Sequence, residues 1–173
     1  NDLKKDNVVT FLNVGRHDER QKKLTRIIYS AEQLKKDNKK FRIVFIGDGP
    51  DTNLYKEEVK NKKLENEVIF LGRKKNPYPY YKLADCVVLS SDYEGYPVVY
   101  LESFILNKPI ITTDVSDYEQ VEGRGIVVEK DETEIYKAMK AFIENGYNIT
   151  KKFDAKKYNN NIFNQLEEII NKF

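Results

Sequence analysis

Residues 94–102 combine a glycine, a proline and two acids in an order that suits anion binding. Gly95 and Tyr96 come just before Pro97, and a helix is expected to begin at about Pro97–Val98. The first amides of a helix lack partners within it, and together with the positive end of the helix dipole they attract a phosphate. A glycine just before them lets the anion approach the backbone. The stretch therefore predicts a phosphate-binding helix start at Gly95–Val98.

Glu94 and Glu102 lie on either side of this predicted phosphate position. Glu102 falls one turn into an otherwise apolar helix, where a carboxylate needs a partner. A carboxylate accepts two hydroxyl hydrogen bonds at once, which suits the vicinal diol of a ribose. We therefore expect ribose at Glu102, a diphosphate at the helix start and a sugar ring at Glu94. The spacing fits equally well a salt bridge from Glu102 to a neighbouring helix and an ordinary surface position for Glu94.

Basic residues after the first apolar run are predicted to reach the same anion. Gly15 and Arg16 directly follow that run, and Lys22 lies near the start of the next helix. A diphosphate leaving group gains negative charge as its bond to a sugar breaks, so fixed cations would stabilise the departing group. Arg20 or Lys23 can substitute for Lys22 in this role. Basic residues beside a helix start are also commonly only solvated.

Other residues that could do chemistry give weaker signals. The turn containing Gly47 and Gly49 is expected to shape a pocket for a base. His17, the only histidine, is expected at the surface, with an approach to the sugar as the alternative. Cys86 lies in an apolar run, so we predict a buried small side chain and not a nucleophile. The sequence has no Asp-x-Asp pair and no complete ATP- or dinucleotide-binding glycine motif, so we expect no metal and no cofactor.

The elements that must position these residues alternate between short apolar runs and helix-period segments. That alternation predicts an α/β fold with a parallel sheet. The predicted strands are Val8–Leu12, Arg42–Ile46, Val68–Leu71, Cys86–Leu89, Pro109–Thr112 and Ile126–Val128. The predicted helices are Lys22–Lys36, Asn53–Lys63, Tyr80–Ala84, Val98–Leu106, Thr133–Glu144 and Ala155–Asn171.

We predict that these elements form a Rossmann-like, doubly wound sheet with strand order 3-2-1-4-5-6. In that order the first and fourth strands are neighbours, and ligands bind outside their carboxyl ends. Those ends carry Gly15-Arg16 and residues 90–97, so the two loops should meet in one crevice. The helix Val98–Leu106 is almost wholly apolar and is expected to be buried and central, and Thr133–Glu144 should begin with a Ser/Thr-type cap.

Composition restricts the class of protein further. The 173 residues are 40% hydrophobic and 34% charged, which is typical of a globular domain. Thirty basic and 28 acidic residues give a net charge of +2, so no nucleic acid partner is indicated. No apolar stretch approaches the length of a membrane-spanning helix. A single cysteine fits a reducing compartment, and we expect a cytoplasmic location.

Several segments, in this order along the chain, together resemble the family 4, or group 1, glycosyltransferases of the GT-B fold. The most specific segment runs from Ala84-Asp85 through Ser90–Pro97 to Leu101-Glu102-Ser103, with Glu94 and Glu102 in the family's E-x7-E arrangement. The other matching segments are Val14-Gly15-Arg16 with Lys22, Phe45–Pro50, Val68–Gly72 and Lys108–Ile111.

The resemblance implies a retaining, metal-independent transfer of a sugar from a nucleoside diphosphate sugar, with a UDP-sugar favoured. It implies that Arg16 and Lys22 grip the diphosphate, Glu102 the ribose and Glu94 the transferred sugar, and that Glu94, Arg16 and Lys22 are the catalytic residues. The full set of donor-binding residues that it implies is Gly15, Arg16, Lys22, Gly47, Gly49, Arg73, Glu94, Gly95, Tyr96, Pro97, Val98 and Glu102.

The chain departs from the family pattern at a few places. Ser90 stands where the family often has proline, and Ser103 replaces a frequent alanine. The segment 117–125 is shorter than the usual loop, so a base or sugar contact from Glu119 or Glu122 is not expected.

The resemblance also implies a division of labour between domains. Residues 1–154 are expected to form the nucleotide-sugar-binding domain, and residues 155–173 a helix that packs partly on an N-terminal acceptor-binding domain absent from this chain. Apolar residues near Ile162–Ile170 would then be exposed. We expect this chain alone to bind donor without turnover, and any association with the inner face of a membrane to come through the absent half. The acceptor would be a glycan or glycolipid, and the rival functions are a non-catalytic nucleotide-binding or scaffold domain and a UDP-sugar epimerase or hydrolase.

Overall fold

The predicted alternation of strands and helices is confirmed by a computed structural model, which describes residues 8–170 except the side chains at positions 165, 166 and 168–170. The strands are β1 (Val9–Val14), β2 (Phe41–Ile46), β3 (Val68–Phe70), β4 (Cys86–Val88), β5 (Ile110–Thr113) and β6 (Gly125–Val128). The helices are α1 (Leu24–Lys36), α2 (Thr52–Asn61), α3 (Tyr78–Leu83), α4 (Val98–Ile105), α5 (Glu132–Asn145) and α6 (Ala155–Ile170), with a 3-10 helix at Tyr118–Val121.

The sheet is parallel, and its order β3-β2-β1-β4-β5-β6 is the one predicted. β1 is central: Val14 pairs with Ile46 of β2, and Phe11 pairs with Cys86 of β4. The carboxyl ends of β1, β2 and β4 therefore lie side by side at one edge. The loops that follow these three strands carry most of the predicted site residues, whereas Arg73 follows β3, and Val98 and Glu102 lie in α4.

Alternating side chains of the central strands pack into two separate cores, one on each face of the sheet. Phe11 of β1 packs with Ile27 of α1 and Met139 of α5. Leu12, the next residue, packs on the other face with Tyr81 of α3 and Tyr100 of α4. Each of these side chains is at most 1% exposed. Helices on both faces explain why the strands are continuously apolar.

Two predicted helix starts needed correction. α1 begins at Leu24 and not at Lys22, because Lys23 adopts a left-handed conformation with φ of 49°. Lys22 consequently lies in the loop after β1. α5 is capped by the side chain of Asp131, which accepts hydrogen bonds from the Thr133 and Glu134 amides, and not by a serine or threonine. Aspartate accepts such bonds as well as a hydroxyl does.

The predicted burial of the helix at 98–106 holds for one side of the helix only. α4 buries Tyr100, Ser103 and Phe104, whereas Val98 and Ile105 are more than half exposed. A helix that lies on one face of a sheet can bury only one side, and the apolar sequence hides that asymmetry.

The beginning of α6 packs on the rest of the chain. Tyr158 contacts Phe153, which in turn packs against Phe104 of α4. Farther along, Ile162 and Phe163 are exposed. The predicted apolar side chains Leu166, Ile169 and Ile170, and the predicted helix end at Asn171, lie outside the described residues, so the assignment of this helix to a domain interface stays a prediction. Within residues 8–170, every helix is too short or too polar to cross a membrane.

Backbone hydrogen bonds join the loop after β1 to the loop after β2. The Gly15 amide donates to the Ile46 carbonyl at 3.0 Å, and the His17 amide donates to the Asp48 carbonyl at 2.9 Å. The approach is so close that a Cβ added at Gly47 would lie 1.8 Å from the Gly15 carbonyl oxygen. One added at Gly49 would lie 2.2 Å from the carbonyl oxygen of His17. The glycines of the predicted base-pocket turn are therefore needed for packing between the two loops.

His17 is fully buried, so its predicted surface position was wrong. Its Nδ1 atom lies 2.9 Å from the hydroxyl of Thr52, and its ring meets those of Phe45, Tyr55 and Phe70 edge-on. Its Nε2 atom has no hydrogen-bond partner in the described part of the chain. Burial lowers the pKa of His17, against a smaller opposing effect of Asp48. The ring is thus part of the aromatic packing beneath the loop.

We predict that Gly47→Ala destabilises the fold far more than Gly72→Ala. Both glycines have positive φ, 140° and 66°, so both alanines are strained. Only alanine at 47 also meets a backbone oxygen, whereas no described atom lies within 4 Å of a Cβ at 72. The free energy of unfolding in urea should fall by about 3 to 5 kcal/mol for Gly47→Ala and by about 1 kcal/mol for Gly72→Ala. Equal losses would contradict the packing explanation.

We also predict that stability declines between pH 7.5 and 5.5 because of His17. Its pKa is lowered by folding from the ordinary 6.5, so below that pH the unfolded chain binds a proton that the folded chain does not. The free energy of unfolding therefore decreases as the pH is lowered, by at most about 1.4 kcal/mol per pH unit. Because His17 is the only histidine, His17→Gln should flatten the urea-unfolding profile in this range. An unchanged slope would show that another group is responsible.

Candidate functional site

The loop after β1 is in direct contact with the loop after β4, as the sheet order predicted. The Asp92 amide donates to the Gln21 carbonyl at 2.9 Å. The hydroxyl of buried Ser90 lies 2.8 Å from the Lys22 carbonyl and 2.9 Å from that of Lys23. The family that the chain resembles often has proline at this position, and proline has no hydroxyl that could make these contacts. The predicted crevice is thus built from joined loops.

An ion pair reinforces this junction from α1. Arg26 donates through Nη1 to the Ser90 carbonyl at 3.0 Å and to an Asp92 carboxylate oxygen at 2.6 Å. Lys23 lies 3.7 Å from the other carboxylate oxygen. A guanidinium that binds a carbonyl and a carboxylate together fixes the start of the β4 loop more firmly than a single contact would.

Lys22 and Glu94 form the best-buried ion pair between the two loops. The Lys22 Nζ atom lies 2.6 Å and 2.8 Å from the two carboxylate oxygens of Glu94. The two side chains are 19% and 7% exposed. The contact is made by Lys22, whereas Lys23, which the sequence allowed as a substitute for it, pairs with Asp92. Glu94 is therefore not an ordinary surface residue.

Two further side chains hold the Glu94 carboxylate. The Ser91 hydroxyl donates to Oε1 at 2.6 Å, and the Gln21 amide lies 3.4 Å from Oε2. Ser91 is itself fixed, because its carbonyl accepts a hydrogen bond from Thr113 at 2.6 Å. Ser116 also donates to the Glu94 carbonyl at 2.7 Å. The β5 end thus supports Glu94 from beneath.

A cleft of about 250 Å³ opens at the carboxyl ends of β1 and β2. Arg16 and Arg73 lie at its rim, 67% and 81% exposed. Arg16 is 3.8 Å from Asp18, and Arg73 is 2.7 Å from Asp48, so solvent screens both pairs. The cleft is lined by Val14, Gly15, Arg16, Ile46, Gly47, Asp48, Arg73 and Lys74.

The Lys22 side chain lies next to the cleft. A Cβ added at Gly15, which lines the cleft, would lie 3.9 Å from Cε of Lys22. Ligand pockets usually enclose roughly 300–1,000 Å³, so the cleft alone is small. A larger ligand that extends past Gly15 would meet Lys22.

The start of α4 has the features of an anion site. No side chain in the described part of the chain caps the helix, so its first amides remain available. Gly95 is exposed, and no described atom lies within 4 Å of a Cβ added to it. Packing against the described residues thus gives no reason for glycine there. The neighbouring Tyr96 contacts the hydroxyl of Tyr158 in α6 through its own hydroxyl.

Glu102 is partnered by a tyrosine of α3. The hydroxyl of Tyr81, which is fully buried, donates to Oε2 of Glu102 at 2.6 Å. Burial, followed by this hydrogen bond, raises the pKa of Tyr81, so the hydroxyl stays protonated. Among the described residues this neutral donor, and not the cation of a salt bridge, is the partner of Glu102. Ser103 donates within the helix to the Val99 carbonyl at 2.7 Å.

Three other residues of interest lie apart from this arrangement. Cys86 is fully buried as predicted, and burial raises the pKa of its thiol. Glu119 and Glu122 line a different cavity of about 340 Å³ with Tyr118, and Glu122 pairs with Lys151.

Comparison with known proteins gives a consistent family assignment. Residues 1–161 match the family model described as glycosyl transferases group 1. An uncharacterized glycosyltransferase of Methanocaldococcus jannaschii is 36% identical over 110 residues, which cover 64% of this chain and 27% of that protein.

Solved structures share the fold at lower identity. The lipopolysaccharide outer core galactosyltransferase WaaB has a TM-score of 0.78 and 21% identity, over 94% of this chain and 51% of that one. Anabaena HepE in complex with UDP has a TM-score of 0.78 and 18% identity, over 94% and 49%. The chain thus spans about a quarter to a half of the length of these proteins.

Proposed function

The chain belongs to the glycosyl transferases group 1 family, and we propose that it is the donor-binding domain of a retaining, metal-independent glycosyltransferase. The donor is a nucleoside diphosphate sugar, with a UDP-sugar favoured because Anabaena HepE binds UDP on the same fold. The acceptor is a glycan or glycolipid, in line with the lipopolysaccharide substrate of WaaB. The acceptor site belongs to another domain, and the location of the protein is cytoplasmic.

One observation carries this proposal: the cleft adjoins an ion pair between the loops after β1 and β4. Gly15 lines the cleft, a Cβ added to it would lie 3.9 Å from Cε of Lys22, and Lys22 in turn binds Glu94. The uncapped start of α4 follows Glu94 in the chain by four residues. A ligand with a planar base, a diphosphate and a sugar has the corresponding sequence of apolar, anionic and hydroxyl groups.

The charges of the residues around this ion pair determine the roles that we propose for them. Lys22 lies beyond the cleft and Arg16 at its rim, and both bear the positive charge that a departing diphosphate requires. The free amides of α4 complete the anion site. Protein cations, and not a metal ion, neutralise the leaving group in this proposal, and adding EDTA should therefore leave donor binding unchanged.

Glu102 and Glu94 are assigned to the hydroxyl groups of the donor. Tyr81 occupies one lone pair of Glu102 Oε2, so the other oxygen is left to accept from the ribose. Glu94 accepts from the transferred sugar, and its role is contact with the sugar ring. Its three polar neighbours hold it in one orientation.

We predict that this chain binds UDP, GDP or ADP with a dissociation constant at or below the millimolar range. Isothermal titration calorimetry would measure the three affinities. Arg16→Ala should weaken the tightest of them about tenfold, because a charge-assisted contact to phosphate is lost. Glu102→Gln should weaken it by a similar factor, because an amide accepts hydroxyl hydrogen bonds less strongly than a carboxylate does.

Arg20→Ala provides the matched control for the arginine. Arg20 is an exposed arginine of the same loop, and its loss should change the affinity less than twofold. Failure of the unsubstituted chain to bind any of the three nucleotides at millimolar concentration would refute the donor-site assignment. A loss from Arg20→Ala as large as that from Arg16→Ala would refute the role of Arg16.

We further predict that Gly95→Ala separates binding from stability. The added methyl group meets no described atom, so the urea midpoint should shift little. A phosphate at the start of α4 would meet that methyl group, so nucleotide affinity should fall about tenfold or more. Unchanged affinity would show that phosphate does not approach the backbone at Gly95.

A further inference from the structure

Glu94 and a bound diphosphate would compete for the same cation. Lys22 donates to both carboxylate oxygens of Glu94 at 2.6 and 2.8 Å, and the pair is largely shielded from solvent. An ammonium has three donors, and two of them point at Glu94. A diphosphate that accepts from more than one of these donors must therefore draw the Lys22 ammonium away from the Glu94 carboxylate.

The contacts that Glu94 keeps determine the free-energy cost of this exchange. When Lys22 turns to a diphosphate, Glu94 keeps the Ser91 hydroxyl at 2.6 Å and the weaker Gln21 contact at 3.4 Å. The carboxylate is only 7% exposed, so water replaces the lost ammonium poorly. Hydroxyl groups of a sugar beside Glu94 would restore its hydrogen bonds, whereas a bare nucleotide has none to offer.

We propose that Glu94 weakens the binding of a bare nucleoside diphosphate by competing for Lys22, and so makes the site prefer a nucleotide that still carries its sugar. This inference rests on the donor-binding function proposed above. It gives Glu94 a second, specificity-determining role in addition to contact with the sugar. It also means that loss of the sugar returns Lys22 to Glu94 and loosens the nucleotide that remains.

The test is the affinity for UDP of the chain with Glu94→Gln, measured by calorimetry. Glutamine has the same size but no charge, so Lys22 is released to the diphosphate. We expect UDP to bind about threefold to tenfold more tightly, as for the removal of a partly screened competing ion pair. If GDP or ADP binds the unsubstituted chain more tightly than UDP does, that nucleotide is the probe instead. Glu94→Ala, checked for folding by its urea midpoint, should change the affinity in the same direction.

Two comparisons show whether the gain comes from Lys22. In a Lys22→Met background UDP binds more weakly, and adding Glu94→Gln should give no gain there. Glu122→Gln makes the same substitution at a carboxylate that pairs with Lys151 and lines a different cavity, and it should leave UDP affinity within twofold. A gain that requires Lys22 and is absent in Glu122→Gln supports the proposal.

The remaining outcomes overturn it. Unchanged or weaker UDP binding in Glu94→Gln, with Lys22→Met still weakening the unsubstituted chain, refutes the competition but leaves the donor-binding function intact. An equal gain in Glu122→Gln or in the Lys22→Met background shows a general charge effect and also refutes it. A chain that binds none of the three nucleotides refutes both this inference and the proposed function.

Discussion

The candidate site depends on one constraint: the loop after β1 is held on both sides by the loops of the neighbouring strands. Towards β2, backbone hydrogen bonds from Gly15 and His17 require the close approach that glycine at 47 and 49 permits. Towards β4, the Ser90 hydroxyl and the Lys22–Glu94 pair hold the same loop. Because β1 lies between β2 and β4, a shift towards either neighbour breaks contacts with the other. The position of the basic residues is therefore set by the sheet order.

The charged residues of the site divide into two groups by burial. Lys22 and Arg26 are well shielded and already paired with carboxylates of the β4 loop, so they fix geometry as well as supply charge. Arg16 and Arg73 are mostly exposed, and their pairs are screened by water. The shielded group resists rearrangement, whereas the exposed group can follow a ligand at little cost. A site for a flexible, multiply charged molecule needs both properties.

The sequence was sufficient for the fold because local patterns determine it. Apolar runs and helix periodicity identified the six strands, the doubly wound arrangement that their alternation with helices favours supplied the order, and that order brought the two loops together. The partners of the site residues were not predictable in the same way. Tyr81 contacts Glu102 across 21 residues, and no periodicity relates them. His17 was misplaced because polarity alone suggests exposure, whereas the aromatic rings that surround it come from three other segments.

The separation of Lys22 and Glu94 along the chain has a consequence for folding. They lie 72 residues apart, and their contact requires β4 to have joined β1. The pairings of β1 with β2 and of β2 with β3, in contrast, need only the first part of the chain and close shorter loops. Until β4 docks, Lys22 and Arg26 face solvent without their carboxylates. The contacts that complete the site therefore depend on the β1–β4 pairing, which joins the two halves of the sheet.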